Sequence, residues 1–238
     1  MFPQWFETFK GRISWQEYNQ NMQIDLRNRY LYVEVAKAAC STIISRLRKV
    51  VAGGLPLPKE VHVPFHASPF VKPFQLPDEM MKDVMGGQGF FRFTFVREPT
   101  ERIVSAYLDK LTRETPQKEK FYSRFLDGRS LEEQISFDEF ISVLSGIDNF
   151  SKYDKHWRPQ SELMLLPDQR YDFIGRFDRF ESDWQDLMKT LGLPDEDRSS
   201  ITWHATSAHE KMAEVMTEEA RKKINEIYAR DFELFESL

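Results

Sequence analysis

Three short apolar segments, each running at once into a pattern of helical spacing, constrain this chain more than any other feature. "YLYVEV" (30–35), "FFRFTFV" (90–96) and "YDFIGRF" (171–177) have the aromatic and β-branched content of buried strands. After the first, Ile43, Ile44, Leu47, Val50 and Val51 recur at helical spacing, and after the second Ile103, Val104, Tyr107, Leu108 and Leu111 do the same. The third leads into a helical stretch, 180–191, that stops at Gly192, a residue suited to a left-handed C-terminal cap. Thr217, followed by Glu218 and Glu219, predicts a final helix with a capping hydroxyl and an acidic first turn. Buried strands alternating with helices predict an α/β, three-layer fold around a central, mostly parallel sheet. Ligands of such sheets gather at the carboxyl ends of the strands.

With 238 residues and 41% hydrophobic content, the chain can bury one substantial core, which predicts a single domain over 1–238. The proline- and glycine-rich stretch 53–89 reads as irregular segments inside it. Cys40 is the only cysteine, so no internal disulfide framework forms, and no His/Cys cluster suggests a structural zinc site. No apolar run has the length of a membrane span, and "MFPQWFETFKGRISWQEYNQ" is too polar for a signal peptide. These features predict a soluble, cytoplasmic chain. The net charge of −5 argues against a general nucleic-acid binder.

The first strand–helix junction, "EVAKAACSTIISRLRKV" (34–50), places Lys37, Ser41 and Thr42 where a ligand should sit. A helix beginning near Ser41 turns N–H groups and the positive end of its dipole toward the turn, which favours a phosphate or sulfate. A Walker A loop would need glycines and a lysine after them; here the lysine precedes the small residues and no glycine occurs. A capped helix beside a solvated lysine explains this stretch equally well by itself. At the second junction, "FTFVREPTERIVSAYLDKL" (93–111), Arg97 follows the strand and Ser105 lies about two turns into the helix. A guanidinium there can grip a phosphate with two donors, or pair with Glu98 or Glu101. Two such junctions suggest a ligand with phosphates at both ends.

"KAACST" resembles the 5′-phosphosulfate loop, and "FVREPTERIVSAY" the 3′-phosphate motif, of sulfotransferases that use 3′-phosphoadenylylsulfate (PAPS). The likeness is strongest to the carbohydrate-modifying group that includes chondroitin, dermatan and heparan 2-O sulfotransferases. "HWRPQSELM", "YDFIGRFDRFESD" and "YARDFELF" extend it over about residues 30 to 235. The resemblance implies a P-loop-like fold and transfer of a sulfuryl group from PAPS, a co-substrate, to an acceptor hydroxyl, on a carbohydrate, with no metal. It assigns the 5′-phosphosulfate to Lys37, Ala38, Ala39, Cys40, Ser41 and Thr42, with Lys37 also catalytic, and the 3′-phosphate to Arg97 and Ser105.

Family members take the acceptor's proton with a histidine or a carboxylate, and "EVHVPFHASPF" (60–70) offers His62 and His66. A strand running through His62 and ending near Val63 would leave His66 just beyond it, which favours His66; Glu60 is a third candidate. His156 or Arg158 would orient the cleft, with Trp157 packed beneath, and Trp157, Arg158, Arg170 and Arg176 are available to line an acceptor cleft. Around "ITWHATSAHEKM" (201–212) the asparagine-containing loop of relatives is missing, which leaves the adenine contacts unassigned. The Golgi relatives begin with a membrane anchor, and its absence here implies a bacterial cytoplasmic enzyme or a chain trimmed before Met1. Two other functions share parts of this pattern. A P-loop small-molecule kinase shares the sheet but needs magnesium ligands and the Walker lysine, and a silent binder of the nucleotide product (PAP) would keep Arg97 and Ser105 without Lys37 or a base.

Overall fold

The structure is a computed structural model that describes residues 3–61, 64–194 and 208–238. In chain order its elements are α1 (Trp15–Asn21), β1 (Met22–Asp25), β2 (Tyr30–Val33), α2 (Cys40–Ala52), α3 (Asp78–Gly86), β3 (Phe91–Val96), α4 (Pro99–Lys110), α5 (Pro116–Phe125), α6 (Phe137–Ser145), α7 (Gln160–Leu163), β4 (Phe173–Arg176), α8 (Phe180–Leu191), α9 (Ala208–Val215), α10 (Glu218–Ile227) and α11 (Ala229–Glu236). They group into two compact units, Met1–Val96 with Gln160–Trp203 and Arg97–Pro159 with His204–Leu238.

The first unit carries a four-stranded sheet in the order β1-β2-β3-β4. β2, β3 and β4 are parallel, as their helical crossovers require, and β1 adds an antiparallel edge. Alternation along each strand sends Tyr30, Tyr32, Phe93 and Phe95 to one face, where they meet Ile43, Ile44 and Leu47 of α2 and Phe180, Trp184, Leu187 and Met188 of α8. Met22, Ile24, Leu31 and Val33 pack on the other face against Phe6, Phe9, Tyr18, Met81 and Val84. The result is the α/β layering expected, and each large apolar side chain so buried contributes about 1.5–3 kcal/mol. In β4, Gly175 pairs with Phe95, and a Cβ there would stand 2.3 Å from the Phe95 ring, so only glycine leaves that ring its place. Arg46 fastens α2 to α8, with its guanidinium 5.1 and 5.2 Å from the Phe180 and Trp184 ring centres and 2.8 Å from Glu181.

The helical second unit packs Ile103, Val104, Tyr107, Phe121, Phe137, Phe140, Trp157, Ile224 and Tyr228 into its own core. Gly192 (φ 64°) ends α8 and Thr217 caps α10 by accepting from the Ala220 N–H, both as expected.

Two expectations fail between β2 and β3. The 53–89 stretch is not irregular throughout, because Asp78–Gly86 is a helix whose Met81 and Val84 are buried. The strand expected over Lys59–His62 does not form among the described residues; His62 and Val63 lie outside them. The Pro58, Glu60 and Val61 carbonyls instead accept from the Arg48 guanidinium, so they have no need of a neighbouring strand.

Candidate active site

The chain passes from β2 to α2 through a four-residue turn, Ala36 to Ala39, that takes an unusual path. Lys37 (φ 68°) and Ala39 (φ 64°) both occupy the left-handed region. For residues with a Cβ this costs on the order of 1–2 kcal/mol each, and it persists only where packing holds it. Ala36 and Ala38, at 1% and 0% exposure, are the buried pins on either side of Lys37. A turn that visits the left-handed region can turn successive backbone N–H groups toward one concavity, a shape that holds anions; here the Ala38 N–H donates to the Val35 carbonyl at 3.3 Å. Ala39 is also the N-cap of α2 and supplies no side-chain acceptor to its first turn. Cys40, Ser41 and Thr42 open that turn, Ser41 exposed and the other two half-buried, as is Lys37.

In the second unit, α4 begins differently. The Glu98 carboxylate accepts from the Thr100 N–H at 3.0 Å and the Glu101 N–H at 2.6 Å, with Pro99 at the first helical position. The anion-binding potential of this junction therefore rests on side chains. Arg97 is 6% exposed and lies 3.4 Å from the Glu101 carboxylate; Ser105, 1% exposed, stands one helical turn beyond Glu101 on the same face. Burial draws the Arg97 pKa down while Glu101 and Glu98 oppose the shift, and an arginine stays charged throughout. Arg97 and Ser105 are thus buried on one face with the half-buried Glu101 between them, and Glu101 pairs with the guanidinium.

Of the candidate bases, His62 lies outside the described residues, and His66 falls in the single 3-10 turn Phe65–Ala67 that follows Pro64. Glu60 is exposed. The "HWRP" segment is structural in larger part than expected. Trp157 is 2% exposed, edge-on to Phe121 and Phe140, and Arg158, also 2% exposed, donates to the Ser151 and Tyr153 carbonyls. Both side chains are almost wholly buried, and Trp157 shows only a small part of its surface, to a pocket shared with Lys120, Arg124 and Tyr153. Arg176 is held by Asp178 at 2.7 Å, which leaves Arg170 as the exposed member of that set. Arg102, which the sequence reading passed over, pins the Lys155 and Arg158 carbonyls to α4.

His156 donates from Nδ1 to Asp154 Oδ1, which also accepts the His156 backbone N–H at 3.0 Å. Burial lowers the His156 pKa against the pull of Asp154, and Lys110 and Lys155 add to the lowering. For Asp154, burial works upward, but the His156 bonds carry the net shift below the usual carboxylate range. Both groups bind fewer protons folded than unfolded, so both contribute stability above their unfolded pKa values and lose it as pH falls through the folded ones. We expect the melting temperature to drop as pH is lowered from about 6.5 and again below the carboxylate range. In His156→Gln the upper step should disappear and the lower one should shrink, because the Asp154 carboxyl loses the imidazole that lowers its pKa and keeps the bond from the backbone N–H of residue 156, as followed by thermal denaturation across pH.

The sulfotransferase family model matches residues 20–236, a span that contains both junctions and the segments between and after them. The chain belongs to the sulfotransferase family. Among its curated relatives, carbohydrate sulfotransferase 14 of Danio rerio is 29% identical over 91% of this chain and 62% of its own length. Carbohydrate sulfotransferase 14 of Mus musculus is 30% identical over 88% and 58%, and carbohydrate sulfotransferase 8 of the same species 27% identical over 89% and 55%. The chain thus spans about three fifths of the length of the curated relatives it matches. No solved structure matches it significantly. The cytoplasmic location expected from the sequence does not hold, since the matched carbohydrate sulfotransferases are Golgi membrane enzymes. No helix among the described residues is long and apolar enough to cross a membrane.

Membership of the sulfotransferase family agrees with the α/β fold and its mostly parallel sheet. Of the segment 201–212, whose adenine contacts stay unassigned, residues 201–207 lie outside the described residues, and Lys211 is exposed on α9.

Proposed function

We propose that this chain moves a sulfuryl group from PAPS to a hydroxyl of a carbohydrate, as one sulfotransferase domain over 1–238. The observation that carries the reading is the turn at Lys37 and Ala39, strained into an anion cradle at an alanine-capped helix start within the family match. The backbone of Ala38, Ala39 and Cys40 and the hydroxyls of Ser41 and Thr42 would hold the 5′-phosphosulfate. The acceptor oxygen attacks sulfur in line as the bond from sulfur to the phosphate oxygen breaks. Lys37 stabilises the charge that collects on that leaving oxygen, and His66, or else His62, takes the acceptor proton. Alignment and charge stabilisation supply the catalysis. The kinase alternative lacks a Walker pattern to support it, and a silent nucleotide binder would have no use for Lys37 in a strained turn.

Arg97 and Ser105 would bind the 3′-phosphate. Arg97→Ala should then weaken PAP by roughly 10- to 150-fold, the worth of a charge-assisted contact of about 1.5–3 kcal/mol. Adenosine 5′-phosphosulfate, which lacks that phosphate, should bind nearly as before. Calorimetric titration of both nucleotides checks this, and equal losses for the two would remove the assignment and with it the support that the second junction gives the PAPS reading.

A further inference from the structure

Arg48 is a cation on the buried side of α2, one turn after Ile44 and next to Leu47, and it is only 3% exposed. Charged groups are rarely so buried without a task for their hydrogen bonds. Its two terminal nitrogens donate to three carbonyls of one short segment: Nη1 to Glu60 and, at 3.1 Å, to Val61, and Nη2 to Pro58 at 3.1 Å. That segment has no strand partner and leads within a few residues to His62 and His66. The same helix that carries Arg48 begins at Cys40, directly after the strained Lys37 turn. One rigid element therefore holds the anion turn at its start and clasps the approach to the candidate bases two turns further on.

We infer that Arg48 is a positioning residue that fixes the Pro58–Val61 segment to α2, and so sets the catalytic base relative to the sulfuryl donor. The inference rests on the sulfotransferase reading above. A planar fork suits this task because it can serve diverging carbonyls without a partner charge, which a lysine ammonium does less well. Displacing a base by about 1 Å can cost as much as about 10²-fold in rate, even when the altered residue never touches substrate.

The test compares wild type with Arg48→Met, which keeps an aliphatic stem, and Arg48→Lys, which keeps a charge without the fork. Turnover is expressed per PAP-binding site counted by calorimetry, so that unfolded protein does not register as slow protein. We expect Arg48→Met to lower kcat per site by about 10- to 100-fold with donor KM changed by less than about threefold. The acidic limb of its pH–rate profile should stay, since the base is present but misplaced, and Arg48→Lys should fall between. Amide hydrogen exchange over 57–67 should accelerate in both variants. Unchanged exchange there, or normal kcat per site with a loosened segment, overturns the inference. If Arg48→Met does not fold, the same comparisons on Arg48→Lys decide. Wild-type transfer from PAPS reports separately on the sulfotransferase reading, and only the ratio of variant to wild type reports on Arg48.

Discussion

Lys37→Ala should lower turnover by about 10²–10³-fold, the cost of removing one donor from a developing oxyanion, while PAP affinity should fall far less. The reason lies in when the lysine acts. In the ground state the bridging oxygen carries little charge, and on the proposed reading backbone N–H groups at the start of α2 would already bind the phosphosulfate. As the bond to sulfur lengthens, charge collects on that oxygen, and the interaction with Lys37 strengthens there. The left-handed backbone at residue 37 (φ 68°) sets the direction in which the side chain leaves the turn. Alanine is no worse suited to that conformation than lysine, and Lys37 is only half-buried, so the fold should persist. Single-turnover rates and calorimetry on the same preparation separate the two effects. Unchanged turnover would remove Lys37 from the chemistry.

His66→Ala should lower turnover by about 10²–10⁴-fold, the usual contribution of a general base, with donor affinity retained. A base must be unprotonated to act, so wild-type activity should decline as falling pH protonates it. That acidic limb should vanish in the variant, whose residual rate no longer depends on the group. His62→Ala should show mainly a loss of stability. Pro64 lies between the two histidines in sequence, and His66 falls in the 3-10 turn Phe65–Ala67 that follows it. Near-normal turnover in both single variants would move the assignment to Glu60 or another carboxylate.

β2 and β3 were legible because nearly all their residues are buried and their segments are rich in aromatic and branched side chains, whereas β4, half-buried at three of its four positions, was legible from the composition of its segment. β1 was not, since two of its four residues, Gln23 and Asp25, are polar yet buried. Asp25 earns its place by accepting from the Arg27 and Asn28 N–H groups of the turn that follows, a local bond with no periodic signature. The lysine turn was legible as a place but not as a shape, because left-handed residues are normally announced by glycine and here are Lys37 and Ala39. The pairing of Arg97 with Glu101 was foreseeable from their spacing of four, whereas the Glu98 cap was not singled out. Arg48 left one readable sign, a charge four residues after Ile44 on an otherwise apolar helix face, but its three carbonyl partners lie in a segment without any pattern. Helix α3 was masked by the prolines and glycines that surround it, although Asp78 and Glu79 after Pro77 mark its acidic first turn.

The most direct measurement of the central claim is mass spectrometry of a carbohydrate panel incubated with the purified chain and PAPS, with PAP release followed in the same samples. The account predicts a carbohydrate that gains one sulfuryl group for each PAP released, and no gain when ATP and magnesium replace PAPS. Phosphorylated carbohydrate from ATP and magnesium, with no PAP released from PAPS, would contradict it.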